Sequence, residues 1–221
     1  MRDDIILHPA KGIELPSLEQ KPVKAFTLEE QARFFEVAKS YSYYEAFIFA
    51  VDTGVREGEL LALTWDDIDL KNGMLYVSKN LVAVKDRITG KQKLVVQDTP
   101  KTSNAIRAIP LTTRALTLLK SLKLKRQSKT NIVFCTNRYT YIYPKNLRRA
   151  FQCVLKRAGI EQLGLHVLRH TFATRLFEKG ANPKTVSTLL GHANVGITLD
   201  IYTHVEPEQM KEAIRLLEST V

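Results

Sequence analysis

Between residues 67 and 78 the chain reads "DIDLKNGMLYVS", with Asn72-Gly73 set between two short apolar runs. A two-residue turn of this composition adopts the backbone twist that paired strands need, so the stretch predicts a hairpin. "LVAVKDRITGKQKLVVQDT" predicts a second hairpin turning near Gly90, and "AIRAIPL" adds another short strand. Helical patterns flank these strands on both sides. "TLEE" offers a capping box with Thr27 as N-cap and Glu30 reaching back, opening a helix to about Lys39. Further helices are expected over Tyr43–Asp52, ending near Gly54, and over Arg56–Leu63. Beyond the strands they are expected over Thr112–Lys125, Pro144–Ala158 and His166–Lys179. Asn182 as N-cap and Pro183 at the first helical position start another. Two more follow, around Val195–Thr203 and after Pro207. A small antiparallel sheet that lies between helical blocks, and does not alternate with them, predicts an α+β fold, mostly helical.

The 221 residues suffice for one domain with a sizeable core. Lys+Arg number 33 against 23 Asp+Glu, a net charge of +10, which points to a polyanionic partner: nucleic acid first, an anionic membrane surface second. Cys135 and Cys153 stand apart with no CxxC pair, which argues against a cysteine metal site or redox motif and fits a reducing cytosol. The N-terminal "MRDDIILHPAKG" holds a three-residue apolar run, too short for a signal peptide, and no stretch reaches membrane-spanning length. A cytoplasmic protein without membrane association is therefore expected. Residues 1–25, with three prolines in "HPAKGIELPSLEQKPVKA", are expected to be a linker or an extended arm.

"LGLHVLRHTFAT" concentrates chemistry. At about 100° per residue, His166, Arg169, His170 and Ala173 share roughly one third of a helix circumference. Leu168, Phe172 and Leu176 fall on another face. The helix is expected to dock by that apolar face and present its cationic side. Alone, H-x-x-R also fits a solvated helix surface. Three other stretches bear on the choice. "TGVREGELLALTW" sets Arg56 at a helix start with Glu59 one turn on. "TPKTSNAIRAIPL" sets Lys101 in a turn between strands, and "LLGHANVGITLDIYTH" sets His192 after a helix end with Tyr202 ten residues later.

Together these blocks closely resemble the tyrosine recombinase (phage integrase) family, over roughly residues 26–206 and in the family's order. The T-G-x-R-x-x-E-L block is matched by Thr53, Gly54, Arg56, Glu59 and Leu60. The H-x-L-R-H-T-x-A-T block is matched by His166, Leu168, Arg169, His170, Thr171, Ala173 and Thr174. Lys101 precedes the I-P-L strand, Leu190-Gly191-His192 form L-G-H, and Tyr202 lies in I-Y-T-H. The resemblance implies the fold of the DNA breaking-rejoining enzymes, with residues 26–221 as the catalytic domain and 207–221 as a C-terminal helical tail. Residues 1–25 would then be the linker from a core-binding domain, and the chain a fragment or a naturally short member.

The implied activity is site-specific recombination, integration or excision of a mobile element, through a 3′-phosphotyrosyl intermediate. Bond energy is conserved in that exchange, so no cofactor and no metal are expected. Arg56 and Arg169 would clamp the phosphate bidentately, with His192 donating to the same oxygens. Tyr202 would be the nucleophile, His166 its base and Lys101 the acid for the departing 5′-oxygen. Glu59 would orient a neighbouring cation or histidine. His170 and His204 stay outside the catalytic set.

Lys145, Arg148 and Arg149, in the first turns after Pro144, fit either a DNA contact or a solvated helix face. The implied partners are double-stranded DNA, a homotetramer assembled on it from monomers free in solution, and accessory DNA-bending factors. In the tail, Met210, Ala213, Ile214 and Leu217 form an apolar stripe suited to a protomer contact or to packing on its own domain. Two rivals remain at this stage. One is type IB topoisomerase-like relaxation, which would show no strand exchange between duplexes. The other is a non-catalytic helix-turn-helix regulator, which would form no covalent adduct and leaves Arg56, Lys101 and Tyr202 without a role.

Overall fold

The computed structural model describes residues 24–87, 90–98, 106–126, 129–192 and 196. Seven helices and five strands lie in that span. Helices α1 (Leu28–Ala38), α2 (Tyr44–Thr53) and α3 (Glu57–Ala62) lead through a 3-10 turn at Trp65–Asp67 into the strands. Strands β1 (Ile68–Asp69), β2 (Met74–Val77), β3 (Lys79–Lys85), β4 (Gln92–Asp98) and β5 (Arg107–Pro110) follow. Helices α4 (Thr113–Arg126), α5 (Pro144–Arg157), α6 (Val167–Glu178) and α7 (Pro183–Leu190) complete the described chain. The fold is α+β, as the segregation of strand and helix patterns implied. Apart from residue 196, the helices expected over Val195–Thr203 and after Pro207 lie outside the described residues, as does the segment read as a linker up to residue 23.

Local chemistry sets the element ends. Thr27 accepts the Glu30 N–H at 3.1 Å while the Glu30 carboxylate accepts the Thr27 N–H at 2.9 Å, so the capping box is closed on both sides. The Asn182 side chain accepts the Lys184 N–H at 2.9 Å, and Pro183 occupies a position where a missing donor costs nothing.

The strands form two antiparallel sheets, one ordered β1-β2-β5 and the other a β3-β4 hairpin. In the first, Leu75 faces Ile109 and Val77 faces Arg107. Alternation along β5 turns Arg107 and Ile109 inward and Ala108 and Pro110 outward. The hairpin pairs Lys79 with Asp98 through Lys85 with Gln92. It packs its β3 strand against α3.

One large core joins α1, α2, α5 and the three-stranded sheet, and its centre is aromatic. Phe26, Phe34, Phe47 and Phe151 are all buried, with ring centroids 5.2 Å apart for Phe26–Phe34 and 5.3 Å for Phe34–Phe151. A smaller cluster of Ala173, Val186 and Leu190 joins α6 to α7. Helices α3 and α6 add Leu60, Leu61, Val167 and Leu168 to the large core, and polar groups at their starts and at the end of α7 meet one another.

Candidate active site

Helix α7 ends at Gly191, whose φ of 65° is the left-handed cap conformation. The last carbonyls of a helix have no intrahelical partner and carry its negative end. Here three consecutive ones are each met by a different arginine. Arg107 Nε donates to the Leu189 oxygen at 2.8 Å, Arg169 Nη2 to Leu190 at 2.6 Å, and Arg56 Nη2 to Gly191 at 2.9 Å. The three arginines come from a strand, a second helix and the N-cap of a third. One helix terminus therefore gathers cations from three distant parts of the sequence.

Each arginine has a second anchor. Arg169 Nη1 donates at 2.8 Å to Gly54, itself the left-handed cap of α2 with φ 63°. Arg56 and Arg107 share Glu59. Its Oε1 accepts Arg56 Nη1 and Arg107 Nη1, both at 2.9 Å, and its Oε2 accepts the Arg56 backbone N–H and Arg107 Nη2, both at 2.7 Å. Four donors fill the acceptor positions of the carboxylate. Burial alone would raise the pKa of Glu59, but hydrogen bonds and charge from Arg107, then Arg56, outweigh it and pull it down to about 2.

The exposure of the three cations differs. Arg169 is 2% exposed and Arg107 is likewise buried, whereas the Arg56 side chain is 41% exposed. Its bonds to Glu59 and Gly191 use two of its five N–H donors among the described residues. It can present the remainder to an anion.

The expectation that α6 docks by its apolar side and presents its cationic side holds only in part: Leu168 is buried in the core and His166 is exposed, but the rest of the two faces departs from it. Arg169 and Ala173 are fully covered, while Phe172 and Leu176 are only half-buried. The reason is that helix-end carbonyls on both flanks, Gly54 and Leu190, offer the guanidinium acceptors that water would otherwise supply. Thr171 is buried as well, accepting the Phe26 N–H at 3.0 Å.

The histidines sit around this centre. His166 and His170 pack edge to face with centroids 4.7 Å apart. Burial and the charges of Arg169 and Arg56 lower the His166 pKa, although its outer edge meets solvent. Burial, then Arg169 and Arg56, push His192 down to about 4; burial and His166 do the same to His170. At pH 7 all three are neutral, each with one ring N–H donor and one acceptor nitrogen. A neutral imidazole at position 166 can take up a proton, and one at position 192 can donate a hydrogen bond to an anion.

A cavity of ≈ 270 Å³ opens beside Arg169 and His166, with Glu57 and Arg148 at its rim. A wider cleft of ≈ 630 Å³ lies where Lys145 and Arg148 face Asn80 and Gln92 of the hairpin. Lys145, Arg148 and Arg149 are all exposed, and Arg148 Nη2 is paired with Glu57 at 2.6 Å.

The structure therefore brings Arg56, Glu59, His166, Arg169 and His192 together. Lys101 and Tyr202 lie outside the described residues. Sequence reading missed Arg107. Its signal was present: Arg107 and Ile109 are two apart in a predicted strand, so they share a face, and Ile109 belongs to the core.

The domain is about half helical with two small antiparallel sheets, and it gathers arginines and histidines at one helix end, where an anion could be met. Comparison with known proteins makes this specific. The model of the phage integrase family matches residues 24–209, and the chain belongs to that family.

A tyrosine recombinase XerC-like protein of Caldanaerobacter subterraneus subsp. tengcongensis is 36% identical over 94% of this chain and 58% of its own length. The ICEBs1 integrase of Bacillus subtilis is 27% identical over 93% of this chain and 57% of its own. The chain thus spans somewhat more than half the length of these relatives. Among solved structures, the Tn1549 transposon integrase in complex with transposon right-end DNA superposes with a TM-score of 0.76 at 23% identity, covering 90% of this chain and 68% of that one, a likeness of fold. The XerA recombinase superposes with a TM-score of 0.65 at 26% identity, over 90% of this chain and 66% of that one. No helix among the described residues is long and apolar enough to cross a membrane.

Proposed function

We propose that this chain cleaves and rejoins double-stranded DNA as a site-specific recombinase, moving a mobile element by integration or excision. The observation that carries the reading is the convergence of Arg56, Arg169 and His192 on the C-terminus of α7, with Arg56 still open to an incoming anion. In this reading the Tyr202 hydroxyl attacks the scissile phosphorus and gives up its proton to His166. A P–Oη bond forms and the P–O5′ bond breaks. Lys101 protonates the departing 5′-oxygen, leaving a 3′-phosphotyrosyl linkage and a free 5′-hydroxyl. Attack by a second strand's 5′-hydroxyl reverses these steps.

Charge that builds on the nonbridging oxygens is met by the guanidinium groups of Arg56 and Arg169 and by the His192 N–H. Preorganisation is the advantage of the arrangement, because the carbonyls of residues 189–191 and the Glu59 carboxylate hold the donors before DNA arrives. The partner chemistry is a DNA duplex; the Tn1549 transposon integrase is seen in complex with transposon right end DNA, and the XerH site-specific recombinase bound to difH substrate. The protein acts as a monomer that assembles into a homotetramer on DNA, with accessory DNA-bending factors as required. Lys145, Arg148 and Arg149 line the approach of the duplex.

The test uses a nicked duplex selected from a random pool by its binding to the chain. Wild type should form a protein–DNA adduct that survives a denaturing gel, and Tyr202→Phe should bind the duplex without forming it. An adduct in the phenylalanine variant would move the nucleophile elsewhere. Exchange of strands between two duplexes separates recombination from topoisomerase-like relaxation. For Lys101→Ala, sulfur at the bridging 5′ position should restore cleavage selectively, since a thiolate leaves without protonation.

A further inference from the structure

Arg107 enters the site from β5, and the proposed chemistry assigns it nothing. A guanidinium buried this fully loses its hydration and persists only if its donors are met. Its fork is met on both oxygens of Glu59, at 2.9 and 2.7 Å, and its Nε on the Leu189 carbonyl at 2.8 Å. Those two contacts are the supports of the groups that would grip phosphate. Glu59 holds Arg56, and the turn after Leu189 supplies the carbonyls for Arg169 and Arg56 and then the backbone of His192.

We propose that Arg107 is a positioning residue for phosphodiester cleavage, fixing Glu59 and the C-terminal turn of α7 in one frame so that Arg56 and His192 meet the same phosphate. The inference rests on the recombinase reading above. Arg56 cannot serve as that fixed point, because a half-exposed side chain that must also bind the substrate is not an anchor for its own support. The turn is fitted to Arg107 in shape as well. A Cβ on Gly191 would lie 2.9 Å from Arg107 Cδ and 3.0 Å from its Nη1, so the α7 cap closes directly over the guanidinium. Lysine cannot take its place, since one ammonium nitrogen cannot span two carboxylate oxygens and a carbonyl in a single plane.

The test compares Arg107→Lys and Arg107→Met with wild type in single-turnover cleavage of the selected nicked duplex. Misplacing a phosphate clamp by an ångström costs on the order of 10²-fold in rate. Arg107→Met should lose about that much at saturating protein, and Arg107→Lys, which keeps the charge but not the fork, about tenfold or more. DNA affinity should stay within about twofold of wild type for both, because the contacts that position the duplex are untouched. Histidine NMR should show His192 titrating at higher pH in Arg107→Met, since the turn admits water and a nearby cation is gone.

Folded variants that cleave at the wild-type rate would overturn the inference and leave the recombinase reading standing. So would a rate loss that merely tracks lost DNA affinity. If both variants fail to fold, Arg107 belongs to stability alone and the positioning role is refuted. Failure of wild type itself to form an adduct on the selected duplex would defeat the recombinase reading, and the inference with it.

Discussion

The aromatic centre of the core and the ionic centre around Glu59, Arg107 and Arg169 are both buried, yet they are held together by opposite means. Phe34, Phe47 and Phe151 meet with centroids 5.3–5.8 Å apart through contacts that have little directional demand. Arg107 is held on Glu59, and Arg169 on the Gly54 and Leu190 carbonyls, through bonds of 2.6–2.9 Å, each aimed at one named oxygen. An aromatic cluster can be repacked at modest cost if its volume is kept. An ionic cluster cannot shift by an ångström without stranding a charge, and its attraction is largely offset by the water it gives up. The first region supplies stability and the second supplies position.

The largest effects follow from breaking either region by truncation. Phe151→Ala should destabilise by about 3–5 kcal/mol in urea unfolding. Glu59→Ala should cost about the same, 3–5 kcal/mol, because it leaves the buried Arg107 without its carboxylate. The regions separate in the repair. Replacing both partners, Glu59→Leu with Arg107→Met, should recover most of the loss, to within about 2 kcal/mol of wild type, since an apolar pair needs no compensation. If that double variant is as unstable as Glu59→Ala, the ionic centre supplies stability after all and the contrast fails.

A smaller effect distinguishes the glycines that cap two helices with the same backbone angle. Gly159 and Gly191 both have φ 65°, but a Cβ on Gly159 would meet nothing within 4 Å, while one on Gly191 would press on Arg107. A left-handed alanine costs about 1–2 kcal/mol from the backbone alone, which should be the whole penalty for Gly159→Ala. Gly191→Ala adds the crowding of a packed site, for a total of about 2–4 kcal/mol. Equal losses would show that Arg107 yields freely and does not hold the turn.

The pH profile sharpens the same contrast at about 1 kcal/mol. Burial, then His166, push the folded-state pKa of His170 from 6.5 to about 4. Between those values the unfolded chain binds a proton that the folded chain refuses, so stability falls as pH drops from 6.5 to 4 and then levels for this group. Glu59, lowered from 4.5 to about 2, contributes stability above pH 4.5 that is lost as pH falls toward 2. Melting curves should therefore decline in two stages. His170→Asn should reduce the first by on the order of 1 kcal/mol, allowing for solvent screening of a half-buried ring, leaving the part that His192 contributes over the same window, and leave the second. Phe151→Leu should lower the whole curve without changing its shape.

What could be read in the sequence divides along the same line. The Thr27–Glu30 box, the Asn72-Gly73 hairpin and the Asn182-Pro183 helix start follow from turn and capping chemistry, which is local. The ionic centre is not local. Arg107 and Glu59 are 48 residues apart and Arg169 and Gly54 are 115 apart, so their pairing exists only in the fold. Periodicity also misled on α6. An arginine on a helix reads as solvent-facing unless something polar waits in the interior, and here it was the backbone of two helix ends, which no residue type announces. Arg56, His166, Arg169 and His192 were picked out by their order along the chain. Lys101 and Tyr202 rest on that order, outside the described residues.

The smallest expected change in stability is at Arg148, and it tests the rim of the site. Its side chain is 63% exposed, and with its partner Glu57 it lines the cavity beside Arg169. Such a pair contributes about 0–1 kcal/mol, so Arg148→Ala should leave the melting curve nearly unmoved. The consequence for DNA should be larger. Glu57 and a backbone phosphate compete for one guanidinium, which makes the two partners act in opposite directions. Arg148→Ala should weaken binding to duplexes of any sequence and reduce the slope of log affinity against log salt by about one. Glu57→Gln should strengthen binding, because it frees the cation without adding one. Salt titrations of wild type and both variants on a single duplex suffice. Affinities that are unchanged, or that move in the same direction, would leave Lys145, Arg148 and Arg149 as a solvated helix face.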